Sequence, residues 1–209
     1  MMMTRIQISA FISLSLIYWV GMLFAQKAPL TWDLLLPFSS VVGAVSLTLL
    51  LFDTWAWKYW PINGFLIKRP VLHGTWKAEL QSDWFDKATK KVVPVINCYL
   101  VVRQTASKLS IRLVTRESRS ETVSAAIEDC GDGTFEIYCA YRNKPRAMYR
   151  HRSDVHFGAM LLMADCLRPP MLEGDYWTDR KTIGTLKLKD RIGNTCLNFE
   201  DAEKLFEST

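Results

Sequence analysis

The stretch Thr75–Leu80 reads TWKAEL, and its apolar residues alternate one by one with polar ones. Side chains alternate between the two faces of a β-strand, so this pattern predicts a strand with one face toward a core and the other toward water. The same alternation recurs in Leu109–Leu113 and in Phe135–Cys139. These segments together predict a β-sheet with one buried face.

Strand-like segments fill almost all of the chain beyond residue 70, separated by turn-forming residues such as Gly131–Gly133. The predicted strands are Thr75–Leu80, Val92–Gln104, Leu109–Thr115, Thr122–Glu128, Thr134–Tyr141, Asp154–Ala164, Leu172–Thr178 and Gly184–Lys189. This all-β pattern predicts a small antiparallel, closed β-barrel of about eight strands, because closure removes the exposed edges that invite aggregation. The tail Glu200–Phe206 predicts a short terminal helix.

Two apolar runs without charge, Ile6–Ala25 and Leu34–Phe52, precede the strands. Each has about 20 residues, the length that a helix needs to cross a bilayer. We therefore expect two transmembrane α-helices within residues 1–53, an interfacial connector over 54–70 and a ligand-binding barrel over 71–209. A cleaved signal peptide is the alternative for the first run, but a second apolar run follows it closely.

Basic residues set the expected orientation of these two helices. Arg5 precedes the first run, and Lys58, Lys68 and Arg69 follow the second. Since cytoplasmic flanks of membrane helices carry an excess of Lys and Arg, both termini and the barrel should be cytoplasmic. The five cysteines form no C-x-x-C pair and fit a reducing compartment.

Common catalytic signatures are missing from the 209 residues: the chain has no G-x-S-x-G, Walker A, H-E-x-x-H or dinucleotide glycine motif. His151, Asp154 and His156 form the one cluster that resembles metal ligands, but its spacing is loose. A hydrolase would have to use that cluster. We therefore expect no enzyme, no metal and no cofactor. The net charge of +5 favours an anionic ligand or anionic lipid head groups.

The segment Gly174–Leu188, GDYWTDRKTIGTLKL, is the strongest candidate for a binding site. In a strand, Tyr176, Thr178 and Arg180 point the same way and offer an aromatic ring, a hydroxyl and a cation. Aromatic rings stack on bases, while guanidinium and hydroxyl groups bond phosphate and sugar oxygens. This set suits a nucleotide, although a barrel wall with solvated charges would give the same pattern.

Three further residues are candidates for an anionic pocket. Tyr99 and Arg103 share one face of the long strand Val92–Gln104, where an arginine could meet a phosphate. Arg150 belongs to the basic stretch RNKPRAMYRHR, which contains no acid. That stretch fits a solvated loop, a contact with anionic lipids or part of an anion pocket.

The apolar runs, the stretch WPINGFLIKRPVLHGTWKAEL at Trp60–Leu80 and the late GDYWTDRKTIGTLKL resemble the two-transmembrane, β-strand-rich effectors of bacterial CBASS anti-phage systems. The resemblance implies a cytosolic barrel that binds a cyclic dinucleotide made by a partner CD-NTase. By the same resemblance the chain would lie in the bacterial inner membrane, where ligand binding would drive homo-oligomerisation of the membrane helices, disruption of the lipid bilayer and death of the infected cell.

The resemblance implies a second-messenger ligand and no DNA or RNA polymer, but it assigns no contact to a particular residue. The six candidate site residues rest on residue type and strand parity alone. A membrane-tethered, lipocalin-like barrel for a lipid or hydrophobic ligand is the alternative, since Gly74-x-Trp76 also begins such barrels. A plain structural anchor would bind no nucleotide.

Overall fold

The computed structural model describes residues 5–26, 38–86, 91–151 and 153–208. The chain divides into two compact units, Met1–Ile67 and Lys68–Thr209. The first unit is helical, and the second is built almost entirely from strands.

The first unit contains helices α1 (Arg5–Gln26) and α2 (Phe38–Thr54), a 3-10 turn at Ala56–Lys58 and a π-helical turn at Ile62–Leu66. The two helices contact each other, with the Tyr18 and Thr48 hydroxyls 2.9 Å apart. Many apolar side chains of both helices are exposed. They include Ile12, Leu16, Ile17, Phe24, Leu47 and Leu50.

The prediction of two transmembrane helices is wrong. Among the residues that the structure describes, no helix combines the length and the apolar character that a bilayer crossing requires. The structure describes α2 over Phe38–Thr54. Residues 34–37, which begin the second predicted span, and the residues between the two predicted spans from 27 to 33 lie outside the described residues.

The second unit is a closed antiparallel barrel of eight strands, as the sequence predicts. The barrel strands are β1 (Gly74–Ser82), β4 (Ile96–Gln104), β5 (Leu109–Val114), β6 (Ser118–Asp129), β7 (Phe135–Pro145), β8 (His156–Ala164), β9 (Leu172–Thr178) and β10 (Ile183–Ile192). A separate two-stranded hairpin, β2 (Phe85–Asp86) with β3 (Lys91–Val92), follows β1. Around the barrel the order is β1-β10-β9-β8-β7-β6-β5-β4, and the ring closes where β4 pairs with β1.

Alternation along each strand fills the barrel interior with apolar side chains. Fully buried members of this core include Trp76, Leu100, Ile111, Ile137, Met160, Leu162, Leu172, Leu186 and Leu188. Burying one such side chain stabilises the fold by about 1.5–3 kcal/mol relative to leaving it exposed. The interior is therefore a packed core over most of its depth.

One end of the barrel is closed by Trp76 and the chain that leads into β1. The Trp76 indole N–H donates to the Leu72 carbonyl oxygen at 2.9 Å. The buried Gln104 side chain accepts from the Leu72 N–H at 2.8 Å and donates to the Pro70 carbonyl at 2.9 Å. Arg191 covers the Trp76 ring, with 5.1 Å between guanidinium carbon and ring centroid. This end is sealed, which leaves access to the opposite end.

The terminal helix α3 (Phe199–Glu207) lies where the sequence predicts it and packs on the outside of the barrel. The Asn198 side chain caps its start by accepting from the Asp201 N–H at 2.8 Å. Phe199 and Phe206 pack against Tyr99, at ring-centroid distances of 5.1 and 5.5 Å. The outer face of β4 is therefore a second, smaller core.

Candidate ligand-binding site at the barrel mouth

A cavity of about 940 Å³ lies at the open end of the barrel and continues over its rim to the outer face, where Lys77, Tyr99 and Glu203 also line it. We call the open end the barrel mouth. Its inward-facing lining comes from the strand ends opposite Trp76 and from the loops beyond them. These residues include Leu80, Ser82, Ile96, Cys98, Leu113, Thr115, Ser118, Tyr141, Asn143, Tyr149, Ser153, His156, Tyr176, Thr178, Arg180 and Thr182.

Two tyrosine rings, those of Tyr141 on β7 and Tyr176 on β9, face into the mouth. Each ring lies against a glycine on a neighbouring strand. A Cβ at Gly158 would come within 2.5 Å of Tyr141 Cζ and Oη, and a Cβ at Gly184 within 2.6 Å of Tyr176 Cε1. The absence of a side chain at these two positions therefore makes room for the rings.

The two phenols are largely withdrawn from water. Burial raises the pKa of Tyr141, and the nearby Tyr176 raises it further. Burial also raises the pKa of Tyr176, although a hydrogen bond from the Ser82 hydroxyl acts in the opposite direction. Both hydroxyls are therefore neutral at physiological pH and can donate or accept a hydrogen bond.

The turn between β9 and β10 sets the position of Thr178 and Arg180. Asp179 anchors this turn, because its carboxylate accepts from the Phe157 N–H at 3.0 Å and its own N–H donates to the Phe157 carbonyl at 3.0 Å. The Thr178 and Thr182 hydroxyls are 2.7 Å apart, and Arg180 Nη1 donates to the Ser153 hydroxyl at 2.8 Å. The guanidinium is exposed at the rim and keeps other N–H groups available to a ligand.

The structure brings three of the six sequence-predicted residues together at the mouth: Tyr176, Thr178 and Arg180. Tyr176 and Thr178 share the inward face of β9, as strand parity predicts, whereas Arg180 lies in the turn after the strand. Tyr99 borders the same cavity, but by alternation it lies on the outer face of β4 beneath α3. Its pKa is raised, mainly by burial and then by Glu203.

The other two predicted residues lie elsewhere. Arg103 is exposed on the outer face of β4 and lines a different groove, toward the closed end. Arg150 is exposed at the end of the 3-10 turn Ala147–Tyr149, and it is not among the described residues that line the mouth. Neighbouring Tyr149 and Ser153 do line it.

Sequence reasoning missed Tyr141, Asn143 and His156 as mouth residues. The sequence could have indicated Tyr141 and Asn143, since both follow Ile137 and Cys139 at the two-residue spacing of the inward face of β7. The predicted strand ended at Tyr141, which left Asn143 out of the sheet, whereas β7 extends to Pro145.

The cluster of His151, Asp154 and His156 is held by local backbone contacts. His151 Nδ1 lies 2.9 Å from the Met148 carbonyl oxygen, and His156 Nδ1 lies 2.9 Å from the Asp154 carbonyl oxygen. Within the described ranges no group of three or more His, Cys, Asp or Glu residues is placed to hold a metal ion. The mouth therefore offers rings, hydroxyls, an amide and a guanidinium, which can bind a polar aromatic anion.

Comparisons with known proteins cover the strands that build this mouth. The family model described as "Cap15, cyclic dinucleotide receptor domain" matches residues 67–190. CD-NTase-associated protein 15 from Staphylococcus schleiferi is 26% identical over 139 residues, which cover 66% of this chain and 70% of that protein. Both matches support the resemblance to CBASS effectors.

Proposed function

Because this chain belongs to the Cap15 cyclic dinucleotide receptor domain family, we propose that its barrel mouth binds a cyclic dinucleotide. The observation that carries the proposal is the mouth itself, where two tyrosine rings, a ring of small polar side chains and Arg180 meet around a cavity of about 940 Å³. The family supports the class of ligand, and the cavity and its polar lining support the mouth as its site.

The chemistry of the mouth matches the parts of such a ligand. The faces of Tyr141 and Tyr176 can stack on bases, a contact worth about 1–3 kcal/mol per base. Thr178 can bond sugar or phosphate oxygens, and Arg180 can hold a phosphate with paired N–H donors. Asn143 presents both a donor and an acceptor, which is what reading the edge of a base requires.

The packed interior disfavours a lipocalin-like site for a lipid. A long apolar ligand needs a deep apolar cavity, but the space below the two tyrosines is filled by buried side chains such as Ile137, Leu162 and Leu186. The lining at the mouth is instead rich in hydroxyl and amide groups. We therefore retain the nucleotide as the proposed ligand.

In the cell, we place this receptor in a CBASS anti-phage response, with a partner CD-NTase as the source of the ligand. Ligand binding would promote self-association of the chain, disruption of the bacterial inner membrane and death of the infected cell. The exposed apolar side chains of α1 and α2 offer surfaces for that self-association. We propose a cytoplasmic barrel and no catalytic step, in keeping with a family described as a receptor domain.

The test is calorimetric titration of the full chain, kept soluble in a mild detergent, with a panel of cyclic dinucleotides and their linear analogues. We expect one cyclic member to bind with a micromolar or lower Kd while its linear analogue does not. Arg180→Ala should weaken that binding about 10- to 100-fold, since a hydrogen bond to a charged group contributes about 1.5–3 kcal/mol.

Arg112→Ala is the matched control, because Arg112 lies on the outer face of β5 and does not border the mouth cavity. Its affinity should equal that of the unchanged chain. The proposal fails if no cyclic dinucleotide binds the folded protein, or if Arg112→Ala weakens binding as much as Arg180→Ala does.

A further inference from the structure

The turn between β5 and β6 lies across the barrel mouth from the turn that carries Arg180. In the closed order of the strands, β8 and β7 separate these two turns on one side, and β1 and β4 separate them on the other. The interior of an eight-stranded barrel is just wide enough to hold one small ligand. A ligand that fills the mouth therefore meets both turns.

The backbone of the β5–β6 turn is held by hydrogen bonds within the turn. The Thr115 N–H donates to the Ser118 carbonyl oxygen at 2.9 Å, and the Thr115 hydroxyl oxygen accepts from the Ser118 N–H at 2.9 Å. Arg116 and Glu117 are exposed at the tip of the turn. The backbone is thus fixed, while the long Arg116 side chain extends from it.

The Arg116 guanidinium lies over the rim and contacts α3. Its Nη2 donates to Glu203 Oε1 at 2.9 Å, and its central carbon lies 5.1 Å from the centroid of the Phe199 ring. The Arg116 side chain is 72% exposed. Ion pairs as exposed as this one contribute little to stability, so Arg116 can exchange Glu203 for another anionic partner at small cost.

Arg116 borders the cavity where it passes from the mouth to the outer face. Thr115 and Ser118 line the cavity on the mouth side of this point, and Glu203 lines it on the outer side. Rotation about the side-chain bonds of Arg116 can therefore carry the guanidinium from α3 to the mouth while the backbone of the turn stays in place.

A cyclic dinucleotide carries two phosphodiester groups, one on each side of its ring, and each has a negative charge. Arg180 can hold one of them from the β9–β10 turn. The second phosphate then lies toward the opposite side of the mouth, where Arg116 is the cation at the tip of the facing turn. Guanidinium groups bind phosphate and carboxylate oxygens alike, through paired N–H donors.

We propose that Arg116 binds the second phosphate of the ligand, and that the Glu203 carboxylate holds Arg116 until the ligand arrives. The inference rests on the proposed function, because a cation on each side of the mouth suits a ligand with two separated phosphates. Binding exchanges a carboxylate for a phosphate on the same arginine. The packing of α3 on Tyr99 through Phe199 and Phe206 does not have to change.

Glu203 therefore competes with the ligand, and its removal should improve binding. The test is calorimetric titration of the full chain with the cyclic dinucleotide that binds the unchanged chain most tightly. We expect Glu203→Gln to raise the affinity about two- to five-fold, the range that the loss of an exposed ion pair allows. A gain of affinity cannot arise from a poorly folded variant. Arg116→Ala should lower the affinity about 3- to 30-fold.

Glu200→Gln is the matched control, because it removes the same charge from α3. Glu200 accepts from Arg146 at 2.7 Å, so this change leaves the pair of Arg116 and Glu203 intact. Its affinity should stay within about two-fold of the unchanged chain. The double variant Arg116→Ala with Glu203→Gln should bind no better than Arg116→Ala alone, since Glu203 acts on the ligand through Arg116.

The outcomes separate this inference from the proposed function. If a cyclic dinucleotide binds and Arg180→Ala weakens it, but Glu203→Gln gives no gain or Glu200→Gln gives an equal one, the role of Arg116 is overturned and the proposed function stands. A gain from Glu203→Gln that persists in the Arg116→Ala background would also overturn that role. If no cyclic dinucleotide binds the unchanged chain, both proposals fail together.

Discussion

Replacement of Gly158 by alanine should displace the Tyr141 ring and lower the stability of the barrel. Gly158 does not have a left-handed φ, so alanine is free of backbone strain there. Its Cβ would nevertheless lie 2.5 Å from Tyr141 Cζ and Oη and 2.8 Å from the Trp177 carbonyl oxygen. The Tyr141 ring must therefore move, and β8 must shift from the backbone of β9.

The size of the effect follows from two opposing contributions. Overpacking of this kind lowers the free energy of unfolding by about 1–3 kcal/mol. Alanine also reduces the conformational entropy of the unfolded chain, which raises the free energy of unfolding by about 0.4–1 kcal/mol. We expect a net destabilisation of about 1–2 kcal/mol. For a unit of this size that corresponds to a fall in Tm of about 3–6 °C. Ligand affinity should fall as well, because Tyr141 leaves its place in the mouth.

Thermal unfolding followed by circular dichroism measures the first effect, and calorimetry measures the second. Gly193→Ala is the matched control, since nothing lies within 4 Å of the added Cβ. Tyr141→Leu in the Gly158→Ala background removes the atoms that clash and should recover part of the lost stability, leaving the contact with the Trp177 carbonyl. If the Tm of Gly158→Ala equalled that of Gly193→Ala, the argument that Gly158 makes room for Tyr141 would be refuted.

Three further results are expected. Ile137→Ala should destabilise the barrel by about 2–5 kcal/mol in urea unfolding, because the side chain is fully buried. Phe199→Ala should expose the C-terminal helix to limited proteolysis, whereas Leu197→Ala, at an exposed position, should not. The hydrogen bond from Arg146 holds the pKa of Glu200 below its ordinary value near 4.5. That pair therefore stabilises the fold above about pH 4.5. In Glu200→Gln the Tm should decrease less as the pH is lowered below that value.

Alternation in the sequence was sufficient to predict the barrel. Five of its strands lie within three residues of their predicted ends, because one-sided strands carry their burial pattern in the chain itself. β4, β6 and β7 each differ by four residues at one end, and Val92, predicted as the start of β4, belongs to the separate hairpin of β2 and β3. β6 was predicted to begin at Thr122 but begins at Ser118. Its first residues are polar, and the hydroxyls of Ser120 and Thr122 bond the backbone of β5 where backbone groups would normally pair. Periodicity of apolar residues cannot detect a strand held in this way.

The candidate site could be predicted only where one strand carried it. Tyr176, Thr178 and Arg180 were found together because their spacing is local. Tyr99 shows the limit of parity: the run Cys98–Val102 is apolar on both faces, so one face had to meet something other than the barrel interior. The outer face of this run packs against α3, about 100 residues further along the chain. Which face of a two-sided strand points inward depends on such a distant element.

The elements around the mouth also indicate which part of the barrel can respond to a ligand. The closed end is fixed by the Trp76 hydrogen bond and the interior by close packing. The loops at the mouth are instead tied to α3 through exposed ion pairs, Arg116 with Glu203 at 2.9 Å and Arg146 with Glu200 at 2.7 Å. Exposed ion pairs contribute little stability and are easily exchanged for other contacts. The loops can therefore exchange these ion pairs at small cost, while the barrel core and the packing of α3 against Tyr99 stay unchanged.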